Sequence, residues 1–139
     1  MTVDARERGF TLLELLVVLA IMGLLAAVVG PAVLNYLSGA KTKVAQVQIK
    51  AIADSMDTFR IDAGRLPTQA EGLQALVTAP PSLPTWNGPY LGKASGLTDP
   101  WGQPYRFKVP GAHGEFDIYS YGSDNAEGGT GEARDVGNW

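Results

Sequence analysis

Four carboxylates crowd into one stretch near the C-terminus: Asp124, Glu127, Glu132 and Asp135, within GSDNAEGGTGEARDVGNW at residues 122–139. All are hard oxygen donors on a glycine-rich backbone that can turn its carbonyls inward, and calcium takes roughly six to eight such oxygens. An EF-hand loop is excluded. The window Asp124–Asp135 puts Ala126 and Gly128 at the third and fifth positions, where side-chain oxygens belong, and a strand pattern rather than a helix precedes it. Few apolar side chains pin this segment, so left alone it is expected to be disordered. A bound cation would then serve as its clamp.

Glu14 is out of place in another way. It lies inside RGFTLLELLVVLAIMGLLAAVVGPA, residues 8–32, in an otherwise uncharged apolar run. As a helix, the run from Phe10 to Leu34 would measure about 37 Å, enough to cross a hydrocarbon layer of about 30 Å. Arg6 and Arg8 precede it and would keep that end cytoplasmic, sending the C-terminal part across. Three readings compete. As a secretory signal peptide the run is too long and lacks a clean small-x-small cleavage site. As a plain anchor it leaves Glu14 unexplained, at a cost on the order of 2.5–3.5 kcal/mol unless the side chain snorkels to the interface. A cut between Gly9 and Phe10 would create an α-ammonium one helical turn from Glu14. The two charges could then neutralise each other within one chain or between staggered neighbours, the second arrangement setting an axial register.

Other chemistries are poorly supplied. The formal net charge is −3 and no basic stripe is present, which argues against a nucleic-acid partner. There is no cysteine, hence no disulfide and no thiol nucleophile. The single His113 cannot build a zinc site alone, and no serine elbow or phosphate-binding glycine loop occurs, so no enzyme is expected. Trp86, Trp101 and Trp139 read as packing anchors.

The elements that must position these groups follow from periodicity. Gly30-Pro31 is expected to weaken or kink the apolar helix. Residues 36–62 lack Gly save Gly39, and Leu37, Ala40, Val44, Val47, Ala51, Ile52, Met56 and Phe59 suggest one apolar stripe packed on the domain that follows. Asp62-Ala63-Gly64 marks a helix stop. Thr68 and Glu71 have capping-box spacing at the start of an expected short helix that Pro80-Pro81 closes. Asn87-Gly88 and Asp99-Pro100 mark turns. YRFKV and FDIYSY alternate as strands, with Pro110–Gly114 between them as a hairpin. The fold class is α+β: a long N-terminal helix packed on a small antiparallel sheet.

The N-terminal stretch resembles the class III signal of type IV pilins and type II secretion pseudopilins: a short leader ending in Gly9, Phe10 as the first mature residue, Glu14 as the fifth and Pro31 as the twenty-second. Gly64, Arg65, Pro67, QAEGLQAL, LTDPWGQPY and the final GNW are similar to the major, G-type pseudopilins over essentially the whole chain. Type IV pilins usually close their C-terminal region with a disulfide, which this chain cannot form. The resemblance implies a leader at 1–9 removed by prepilin peptidase, N-methylation of Phe10, a transmembrane or fibre-core helix at 10–34 and a periplasmic globular domain at 35–139. Glu14 and Pro31 are implied as assembly residues. It further implies a Gram-negative inner-membrane subunit, single-pass before assembly. Copies would form a homopolymer with minor pseudopilins on an inner-membrane platform and push folded exoproteins through the outer membrane. The alternatives are a type IV pilus pilin, or a minor tip subunit acting as a tethered binding module. G-type members bind calcium in this tail, which implies Asp124, Glu132 and Asp135 as ligands with the Tyr121 and Thr130 carbonyls. Many members carry Asp where this chain has Gly131, and Glu132 is expected to compensate.

Overall fold

The computed structural model describes residues 9–139. The expected leader at 1–9 therefore lies outside the described residues except for Gly9. Two compact units divide between Leu37 and Ser38. One helix, α1 (Leu12–Ala63, 52 residues), contributes to both. It continues through Pro31 without interruption, although Pro31 has no N–H for the carbonyl one turn earlier.

In the first unit no residue from Phe10 to Val29 is buried, and large apolar side chains such as Leu12, Leu13 and Val28 lie 70% exposed or more. In the second unit, burial picks out Ala45, Ile49, Ile52, Met56 and Phe59, with Ser55 beside them. Their alternating steps of four and three residues keep one face inward. This corrects the stripe expected from sequence. Ile52, Met56 and Phe59 belong to it, whereas Leu37, Val44 and Val47 are 52%, 49% and 70% exposed, and Ala40 and Ala51 also face solvent. The helix carries two neighbouring apolar rows, and the sequence reading crossed from one to the other at Ala51-Ile52. The row containing Ile49 is the one that meets the sheet.

Gly64 ends the helix with φ +72°, donating its N–H to the Arg60 carbonyl at 2.9 Å. That left-handed conformation is cheap only for glycine. The Thr68–Glu71 box forms, but the helix expected after it does not. Gly72, at φ 59° and ψ −165°, leaves helical space, and only a 3-10 turn at Leu73–Leu76 follows.

The sheet has three antiparallel strands in sequence order: β1 (Arg106–Lys108), β2 (Asp117–Ser120) and β3 (Val136–Gly137). Phe107 pairs with Ile118, and Ser120 with Val136. Because side chains alternate, this face meets the helix, and Ile118, Val136 and Tyr105 join Leu73, Leu76, Leu83 and the α1 row in one core. β1 and β2 are the expected hairpin. β3 was not anticipated: a two-residue strand shows no alternation. The tail is therefore not a free loop, because its own end completes the sheet.

Candidate functional site

Glu14 sits in the first turn of α1, exposed, and among the described residues it bonds only to Thr11. Its Oε2 accepts the Thr11 backbone N–H at 3.1 Å and the Thr11 hydroxyl at 3.2 Å, while the Glu14 N–H donates to Thr11 Oγ1 at 3.2 Å. This is a reciprocal capping box, with Thr11 satisfying one free helix N–H and the carboxylate another. The spacing Thr11-x-x-Glu14 is legible in the sequence and gives Glu14 a local partner besides the Phe10 amine expected above. Gly9 and Phe10 lie ahead of the helix and are exposed. One helix among the described residues is long and apolar enough to cross a membrane, and it lies near the N-terminus.

The acidic tail returns on itself. Gly122 (φ +70°) abuts the Glu132 and Arg134 carbonyls so closely that no Cβ could be accommodated, and Gly129 abuts Ala133 in the same way. The carbonyls of the second half of the tail thus crowd toward its first half. Asp124 Oδ1 accepts the Ala126 N–H at 3.1 Å, and Asp135 Oδ2 accepts the Gly128 N–H at 2.9 Å. The other Asp135 oxygen, Oδ1, is buried and has no hydrogen-bond partner among the described residues. The Thr130 carbonyl accepts from the Ala133 N–H at 3.1 Å. Asp124 is exposed, whereas Glu132 and Asp135 are half-buried. Among the described residues no three acidic or histidine side chains converge as a cluster. A cation here would therefore draw most of its oxygens from the main chain. Calcium tolerates such a donor set, and the unsatisfied Asp135 oxygen fits it, because a buried carboxylate oxygen without a donor is costly unless a cation or proton meets it.

Elsewhere the globular unit holds its charges firmly. Arg65 makes two bonds to Glu71, 2.7 and 2.8 Å long, and Glu71 also accepts from the Thr68 N–H at 2.8 Å and the Ser82 hydroxyl at 2.5 Å. The Arg65 bond, more than the opposing effect of burial, holds the Glu71 carboxyl well below the usual carboxylate range. Asp117 is almost fully buried, which pushes its carboxyl upward, yet the Ala112 N–H, the His113 ring and the His113 N–H together lower it. His113 in turn stacks on Trp139, with ring centroids 3.8 Å apart. The lone histidine and the final tryptophan thus serve to fix the end of the chain.

The family model for type II secretion system (T2SS) protein G matches residues 32–139, and the prokaryotic N-terminal methylation motif matches residues 4–30. A type II secretion system core protein G from Pseudomonas aeruginosa is 44% identical over 138 residues, covering 96% of each chain. Its counterpart from Vibrio cholerae is 38% identical, covering 96% of this chain and 92% of that protein. Among solved structures, the major pseudopilin from the type 2 secretion system of enterohaemorrhagic Escherichia coli superposes with a TM-score of 0.62. It is 30% identical and the match covers 75% of this chain and 87% of that one.

Proposed function

We propose, from the premise that this chain belongs to the type II secretion system protein G family and is a major pseudopilin subunit of that system, that it polymerises through α1 into a periplasmic fibre. The observation that carries the reading is the unpacked apolar stretch 10–34, whose one carboxylate, Glu14, is engaged among the described residues only by its own Thr11. An apolar surface of this extent needs lipid or other helices around it. Before assembly the bilayer supplies that environment, so the subunit is membrane-anchored. In the fibre neighbouring copies supply it, with the second exposed row, Val44 and Val47, continuing the contact beyond the bilayer. Prepilin peptidase cuts between Gly9 and Phe10, the new amine is methylated, and Glu14 exchanges its Thr11 bonds for that amine. The platform, minor pseudopilins and exoproteins are the other partners, and the growing fibre moves the exoproteins outward. Pro31 leaves a carbonyl unbonded in α1 and gives the helix a point to yield as copies pack.

Calcium belongs to the same reading. Asp135 is the first side-chain ligand, supported by its buried oxygen without a partner among the described residues, with main-chain carbonyls, Tyr121 and Thr130 among them, supplying most of the shell and Asp124 and Glu132 as further ligands. The ion's charge would hold the acidic segment together where the core does not reach.

The mass of the mature chain tests the processing step. Loss of residues 1–9 with gain of one methyl group is expected, and an intact N-terminus in assembled fibres would refute it. For the metal, a chelator should lower the melting temperature of the wild-type chain but not that of Asp135→Ala. Equal melting with and without chelator removes calcium from the account.

A further inference from the structure

The tail has a second hold that owes nothing to its own carboxylates. Asp99 is buried, at 5% exposure, in the turn between Thr98 and Pro104. Its Oδ1 accepts the Trp101 N–H at 3.0 Å and the Gln103 N–H at 2.8 Å, and its main chain closes the turn through the Gln103 carbonyl and the Gly102 N–H. No cation pairs with it among the described residues. The remaining oxygen, Oδ2, accepts the hydroxyl of Ser120 at 2.5 Å, and Ser120 is itself 2% exposed at the end of β2. The same Ser120 oxygen accepts the N–H of Gly122 at 3.0 Å. Gly122 is where the tail departs from the sheet, and where the carbonyls of Glu132 and Arg134 come back against it. Asp99 is thus joined to Ser120, 21 residues on, and through it to Gly122 by one buried line of hydrogen bonds, running from a rigid turn to the point where both ends of the tail meet.

A buried carboxylate is expensive, and one that accepts three hydrogen bonds with no cation is retained only where those bonds fix something. Two of them fix its own turn. The third, relayed by Ser120, reaches the tail. We infer that Asp99 and Ser120 are positioning residues for the base of the acidic tail: they hold Gly122, and so the approach of Glu132 and Arg134, independently of any cation. At the far side β3 and Asn138 close the loop, with Asn138 Oδ1 accepting the Ile118 N–H at 2.9 Å. Cation binding would then order only the loop between two ends already fixed.

The test is hydrogen exchange by mass spectrometry on the full chain in detergent, with chelator present throughout. Ser120→Ala removes the relay, and exchange across residues 122–135 should rise by about tenfold, as for one lost buried hydrogen bond, with α1 and β1 unchanged. Asp99→Asn keeps the Oδ1 acceptor for the turn but loses the acceptor for Ser120. It should loosen the same residues, and the double variant should be no worse than the more severe single one. Unchanged tail exchange in both single variants, a rise spread evenly over α1 and the sheet, or additive single effects would overturn the inference. The calcium reading stands or falls separately: adding calcium to the wild-type chain either slows exchange in the loop or does not.

Discussion

The chain uses the same four-residue device twice, with opposite results. Thr11–Glu14 opens the apolar helix and Thr68–Glu71 follows the helix stop. In both, the threonine hydroxyl accepts the glutamate N–H at 3.2 Å and the carboxylate accepts the threonine N–H. At Glu71 the spare capacity is taken up by the Arg65 fork and Ser82, and its side chain is only 12% exposed. Among the described residues Glu14 has no further partner than the Thr11 hydroxyl, and it is exposed. The local motif is therefore not what distinguishes the two sites. Glu71 is committed to holding one chain together, whereas Glu14 has bonding capacity left over, which the proposed fibre contact would use.

The largest effect that would break this comparison is all-or-none. Glu14→Leu should abolish fibre formation and secretion while leaving the melting temperature of the globular unit within about a degree of wild type, as for a substitution outside its core. Normal fibres from this variant would end the distinction. Next, Glu71→Ala should cost about 2–3 kcal/mol in thermal or denaturant unfolding, because it strands Arg65 and uncaps the turn. A loss no greater than that of an exposed ion pair would place Glu71 beside Glu14.

Acid sharpens the contrast. The Glu71 carboxyl is depressed in the folded chain, so its stabilisation is complete above the ordinary glutamate value near pH 4.3 and is lost as pH falls below it. An unfolding series from pH 6 to pH 2 should show this loss in the wild-type chain and much less of it in Glu71→Gln. Smallest of all, Thr68→Ala should cost about 1 kcal/mol, whereas Thr11→Ala should leave unfolding of the globular unit unchanged. Equal losses from the two substitutions would mean that the boxes do the same work.

Much of this was legible in the sequence. The apolar run, its isolated Glu14, the stop at Gly64 and the β1–β2 hairpin rest on local signals, and the structure contains the last two as expected. The Thr68–Glu71 spacing also forms its box, but the torsions of Gly72 decided that a 3-10 turn, not a helix, would follow. What could not be read depended on contacts distant in sequence. The choice between two apolar rows on α1 was made by the sheet, and β3 exists only because β2 has a free edge. The line from Asp99 to Gly122 joins residues whose types announce nothing at those positions. The tail shows both sides: its carboxylates were plain in sequence, while the closeness of Gly122 to the Glu132 and Arg134 carbonyls required the fold.

If the chain is cut and assembled as proposed, the decisive contact is the one that Glu14 makes in the mature fibre. A reconstruction of the mature fibre at a resolution that shows side chains would decide it. The expected result is the Glu14 carboxylate within hydrogen-bond distance of a Phe10 amine, from its own or a neighbouring copy. A carboxylate still held by Thr11 alone, with every Phe10 amine turned elsewhere, would contradict the account.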